Sequence, residues 1–157
     1  MRLRLTLIVL VLALVAAACS SGEPERDSSG AITESGSASV FALQVGDCFD
    51  DDPAFAETVT EVATVPCSQP HDNEIYYEYT MSNASFPGDD AALEAGANRC
   101  LDEFDAFVGV DYLDSELDLF PITPTAESWT EGDRVVYCAL YALDLSKLAG
   151  SMQGSRR

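Results

Sequence analysis

The chain reads as a small α+β domain: an antiparallel sheet of four or five strands, one long helix packed on one face, and two disulfides. Three stretches predict it. Residues Asn73 to Met81 alternate strictly, with Ile75, Tyr77, Tyr79 and Met81 on one side and Glu74, Tyr76, Glu78 and Thr80 on the other, the pattern of a half-buried strand. Between Asp90 and Val108, Leu93, Ala97, Cys100, Leu101, Phe104, Phe107 and Val108 recur at helical spacing, and Asp102, Glu103 and Asp105 fall opposite. Residues Arg134 to Leu143 are apolar on both faces, as in a central strand covered by a helix on at least one side.

Taken in order, the chain opens with Met1-Arg-Leu-Arg, an apolar run from Leu5 to Ala18, and Cys19 directly after three alanines. A charged start, an apolar core of this length and small residues before a cut describe an export signal, here residues 1–18. The run is shorter than the roughly 20 apolar residues of a comfortable span. A cysteine at the cut points to a bacterial lipoprotein signal, in which Cys19 is lipidated and becomes the mature N-terminus. Residues 19–39 are rich in Ser, Gly and Glu with few large apolar side chains, and are expected to form a flexible tether. The folded domain is then expected over 40–150, with a loose polar tail at 151–157.

Within the domain, Phe41, Leu43 and Val45 alternate as a first strand, and Asp50 to Pro53 form a loop. Thr58 to Val65 is rich in β-branched residues and stops at Pro66. Pro87-Gly88-Asp89 marks a helix start with Asp89 or Asp90 as N-cap, and Gly109 a helix end. Leu117 to Phe120 reads as an edge strand, because Pro121 cannot donate to a ladder on both sides.

The chain has 27 Asp and Glu against eight Lys and Arg, a formal net charge of −19. Two of the eight basic residues, Arg2 and Arg4, lie in the leader, so the mature chain is more acidic still. Phosphate backbones require clustered Lys and Arg, so no nucleic-acid partner is expected. Anionic headgroups would repel this surface, leaving the lipid on Cys19 as the means of membrane attachment.

Setting Cys19 aside, Cys48, Cys67, Cys100 and Cys138 remain, an even set that in an exported chain reads as two disulfides. No Cys-x-x-Cys pair is present for a zinc knuckle or a redox motif. Cys100 lies in the helix's apolar stripe and Cys138 on a strand face with Val136 and Leu140, so a helix laid on the sheet joins them. Cys48 and Cys67 are then left to close the shorter loop.

Isolated candidates for chemistry are few. His71 is the sole histidine, and Asp72 or Glu74 could orient it as a general base. Pro-His-Asp-Asn is more commonly a turn into a strand, and no Gly-x-Ser-x-Gly elbow supplies a nucleophile. Asp50-Asp51-Asp52 with Asp47 lacks the glycine and terminal glutamate of a calcium loop, and Asp111, Asp114, Glu116 and Asp118 read as a solvated acidic group. Asn83-Ala84-Ser85 is a chance glycosylation match, and Trp129 a partly buried loop anchor. From sequence, no residue is assigned a catalytic, cofactor-binding or metal-ligating role, and no cofactor is expected.

Three segments together resemble a known family: Val45-Gly-Asp-Cys48-Phe, Val65-Pro-Cys67-Ser-Gln-Pro-His71-Asp-Asn-Glu74, and Pro124-Thr-Ala-Glu-Ser-Trp129 through Cys138-Ala-Leu-Tyr. They are similar to the septum-formation domain of actinobacterial membrane-anchored proteins, over roughly Phe41 to Gly150. The resemblance implies an extracytoplasmic, disulfide-containing domain linked to the division septum, and it carries no catalytic mechanism. The expected function is a lipid-anchored interaction module on the outer face of the cell membrane, without catalysis, whose partner is an envelope or division protein. The alternative is an envelope hydrolase built on His71 and neighbouring carboxylates.

Overall fold

A computed structural model describes residues 23–51 and 60–157. The expected signal and Cys19 lie outside these residues. The α+β class holds, with six antiparallel strands in place of four or five: β1 (Gly36–Ser39), β2 (Cys48–Asp50), β3 (Glu61–Val65), β4 (Asn73–Thr80), β5 (Leu117–Ile122) and β6 (Val135–Ala142). Their order across the sheet is β1-β3-β2-β4-β6-β5. The long helix α1 (Asp89–Val108) lies on one face, and a short helix α2 (Ala126–Thr130) precedes β6. Phe41, Leu43 and Val45 do not form the first strand: Val40–Ala42 is a single 3-10 turn, with Leu43 buried and Phe41 and Val45 half exposed.

Helix α1 buries Ala92, Gly96, Cys100, Phe104 and Val108, a stripe stepping by four residues. Leu93 and Leu101 were expected on this face and are exposed. Close approach to β5 selects the smaller side chains. A Cβ on Gly96 would stand 2.8 Å from Pro121 Cβ, so only glycine fits there. The helix is capped by Gly88, with no side-chain cap from Asp89 or Asp90. Those two carboxylates instead stand in the first turn, where the helix dipole favours negative charge. Gly109 closes the other end in the left-handed conformation, φ 86°, as expected.

Strand β4 departs from its strict alternation. Ile75 pairs with Ala139 and Tyr77 with Cys138, so Tyr76 is an extra residue in a bulge. The extra residue shifts the phase. Ile75 packs on the face away from α1, with Phe49, Val62, Tyr137 and Ala139, whereas Tyr76 and Tyr77 both pack under α1. Tyr76 also donates its hydroxyl to Cys100 O at 2.6 Å, an added tie between sheet and helix.

The disulfides are Cys48–Cys67 and Cys100–Cys138, the pairing read from the faces. Cys100 and Cys138 are fully buried among Phe104, Leu140 and Leu148.

Both chain ends are docked where loose segments were expected. On the N-terminal side, β1 pairs with β3, Ala38 and Ile32 are buried, and Arg26 bridges backbone with Ile32. The Arg26 guanidinium reaches both oxygens of the buried Asp47 and the carbonyls of Gly30 and Ala42. One bidentate ion pair and strand pairing supply what the segment lacks in apolar side chains. At the other end, Gly154 N–H donates to Phe107 O and Arg156 N–H to Val108 O. These are carbonyls of the last turn of α1, which have no partner inside the helix. The tail is thus the helix's C-terminal cap, pinned by the buried Met152.

Two expected outcomes follow for stability. Gly96→Ala gains up to about 1 kcal/mol of helix propensity but forces α1 off Pro121, so a net loss of about 1–3 kcal/mol is expected in urea unfolding. Opening the larger loop, with Cys100→Ala and Cys138→Ala together, is expected to cost about 4 kcal/mol against about 3 for the Cys48–Cys67 pair. Equal midpoints for the two double variants would contradict this ranking.

Candidate functional site

The polar residues with the deepest burial gather where β2, β4 and the chain's last segment meet. Cys48 on β2 stands directly across from Glu74 on β4. The disulfide to Cys67 brings in the loop that carries His71, and that loop pairs with the C-terminal segment through His71 and Leu148. Cys48, His71 and Glu74 have no solvent exposure, whereas Cys67 is only partly buried. One ring nitrogen of His71, Sγ of Cys48 and a carboxylate oxygen of Glu74 all lie within 4.8 Å of one another.

Each member is oriented by a further partner. Glu74 accepts from the Ser151 hydroxyl on one oxygen and from Met152 N–H, at 2.6 Å, on the other. Burial pushes its carboxyl pKa above the ordinary range, against the pull of those two bonds and of the neighbouring histidine. His71 Nδ1 lies 2.8 Å from Gln69 O. A carbonyl only accepts, so Nδ1 donates to it and Nε2 is the ring position left open. That Nε2 is buried without a hydrogen-bond partner.

The His71 ring is sealed from solvent, and the nearby Ser151 hydroxyl donates to Glu74. Asp72, the other suggested orienting group, is bridged to Asp50 by Lys147, at 2.8 Å to each. Asp51 accepts from Asn73, so among the described residues of the acidic loop the carboxylates serve local bonds. Asp47 is the partner of Arg26.

The second acidic group is likewise structural. Asp111 caps a 3-10 turn, Glu116 faces Arg157, and Asp118 accepts from the Tyr112 and Tyr141 hydroxyls. The bond to Asp118 and burial push the Tyr112 pKa up to about 12. Trp129 is buried on α2 rather than in a loop, stacked under Arg134 at 3.7 Å.

A second feature was not legible in the sequence. On the face away from α1, Phe41, Ile122, Val135 and Tyr137 line a groove of about 230 Å³, bordered by Glu127 and Glu131. Phe41, 55% exposed, forms its open wall. The signal available was weak, because residues from three distant segments build it.

With this geometry in place, the comparison with known families is decisive: the septum-formation model matches residues 21–156. The chain belongs to the septum-formation family. The match reaches beyond Phe41–Gly150 at both ends, in keeping with the docked N-terminal segment and tail of this septum-formation domain. No curated protein and no solved structure matches the chain. Among the described residues no helix is long and apolar enough to cross a membrane.

The Glu74 arrangement generates a local prediction. Glu74→Ala removes the acceptor of Met152 N–H and the Ser151 hydroxyl, and with it the anchor of the α1 cap. Hydrogen exchange at Met152, Gly154 and Arg156 is expected to accelerate well before the β4–β6 amides do. Uniform acceleration across the domain would instead mean that the tail has no separate anchorage.

Proposed function

We propose that this septum-formation domain is a non-catalytic binding module of the cell envelope, held at the outer face of the membrane by a lipid on Cys19 and recruited to the division septum by a protein partner. The observation that carries the reading is the family match over residues 21–156, the whole folded part. Two disulfides support an oxidising, extracytoplasmic setting. The burial of His71 favours binding over hydrolysis. For a docking surface the groove beside Phe41 is the best suited, since an apolar slot bordered by carboxylates fits an apolar side chain flanked by Lys or Arg.

The test uses cells in which the variant is the sole copy. Cys19→Ser is expected to release the protein from the membrane fraction or leave unprocessed precursor, and Phe41→Glu to abolish septal enrichment while the melting temperature is kept. Mature Cys19→Ser protein that still sediments with membranes overturns the anchor. Septal enrichment unchanged in Phe41→Glu overturns the groove as the recruiting surface. Loss of the phenotype in a stably folded His71→Ala protein would turn the reading towards catalysis.

A further inference from the structure

Cys48, His71 and Glu74 cluster as three donors of a zinc site, and the disulfide of Cys48 attaches Cys67 to them as a fourth. Zinc takes four ligands from thiolate, imidazole and carboxylate. Two features of the oxidised form point to a metal ion rather than to packing alone. Nε2 of His71 is fully buried and lacks any partner, while Nδ1–H donates to Gln69 O and so leaves Nε2 as the ring position open to a ligand. A metal-ligating histidine is commonly oriented by such a backbone bond, and its neighbouring carboxylate by further hydrogen bonds, as Ser151 and Met152 supply for Glu74. An unsatisfied lone pair in a dry site is costly unless something fills it under some condition.

We propose that reduction of Cys48–Cys67 converts this centre into a zinc site, with the thiolates of Cys48 and Cys67, Nε2 of His71 and the carboxylate of Glu74 as ligands. The reductant is a protein dithiol. Its thiolate attacks Cys67 Sγ, the sulfur of the less buried cysteine, forming a mixed disulfide and expelling Cys48 as a thiolate beside His71. The second thiol of the reductant then displaces Cys67, leaving the reductant as a disulfide and two electrons on the pair. Zinc replaces the thiol protons and bridges the same strands the disulfide had bridged. Oxidation reverses the exchange and expels the ion. The sequence offers no Cys-x-x-Cys because the site is discontinuous: Cys67-x3-His71-x2-Glu74 supplies three ligands, and β2 the fourth.

This inference is independent of the binding reading above and is tested on the purified full-length chain. Oxidised and phosphine-reduced samples are dialysed against zinc in excess magnesium, which occupies the surface carboxylates. One zinc per reduced chain and none per oxidised chain is expected. Cobalt in place of zinc is expected to give thiolate-to-cobalt charge-transfer bands and the visible bands of a tetrahedral site. Cys67→Ser should lower the charge-transfer absorbance to about half, Cys48→Ser together with Cys67→Ser should abolish it, and Ser151→Ala, a mild change at an exposed position, should weaken zinc by about 10–100-fold. Cys100→Ala with Cys138→Ala should leave binding intact. Equal zinc content in both redox states, absence of charge-transfer bands, or bands of unchanged intensity in Cys67→Ser would each overturn the proposal, whether or not the reduced chain keeps its fold.

Discussion

Strand β6 presents apolar side chains to both faces of the sheet, and among the described residues α1 is the one long helix available to cover them. The helix takes the side of Val136, Cys138 and Leu140. The opposite side, with Tyr137, Ala139, Ile75 and Phe49, needs another lid. The 3-10 turn at Val40–Ala42 and Leu43 provide it, held by the β1–β3 pairing, by Val40 N–H on Thr60 O and by one charged contact. Arg26 spans from the N-terminal segment to Asp47 and accepts no competitor, because Asp47 is 2% exposed. A buried carboxylate of this kind stabilises nothing by itself; it is tolerable because the guanidinium and Gln44 N–H satisfy it. The pair therefore specifies where the N-terminal segment lies more than it adds stability.

The same economy governs the other end. Residues 151–157 look dispensable by composition, yet their backbone N–H groups complete α1 and their Met152 closes the core beneath it. Glu74 is the link that sets this tail in place from the sheet side. Thus a single buried carboxylate connects β4, the helix cap and the disulfide centre. Its two hydrogen bonds run to Ser151 and Met152, and its strand position faces Cys48.

These dependencies explain what could be read from residues in order and what could not. Helix α1, strand β6 and the cysteine pairing were legible because each follows from a periodic apolar face, and burial acts on faces. The docked ends were not, since Arg26, Ala38 and the amides of Gly154 and Arg156 leave no periodic trace. Tyr76 shows a subtler failure: one bulged residue keeps the alternation of letters intact while exchanging the faces. Leu93 and Leu101 fit the helical period yet stand exposed, because the seat of α1 against Pro121 at Gly96 selects side-chain size before hydrophobicity. At the site, His71 and Glu74 stood out as letters. Their common burial with Cys48 depends on the β2–β4 register, which spacing along the chain does not contain.

The register also places the two candidate regions at opposite ends of one segment. Phe41 walls the groove, and a few residues later Gly46 N–H donates to Ile75 O, Ile75 N–H donates to Asp47 O, and Cys48 enters the disulfide. Between them stands Asp47, fixed by Arg26. A segment tied at three successive points transmits displacement poorly unless one tie is released. Within this fold the releasable tie is the disulfide, since strand pairing and the Arg26–Asp47 ion pair are both maintained by burial. Helix α1 and its own disulfide pack on the other face of the sheet from the groove, so the two disulfides tie separate parts of the fold.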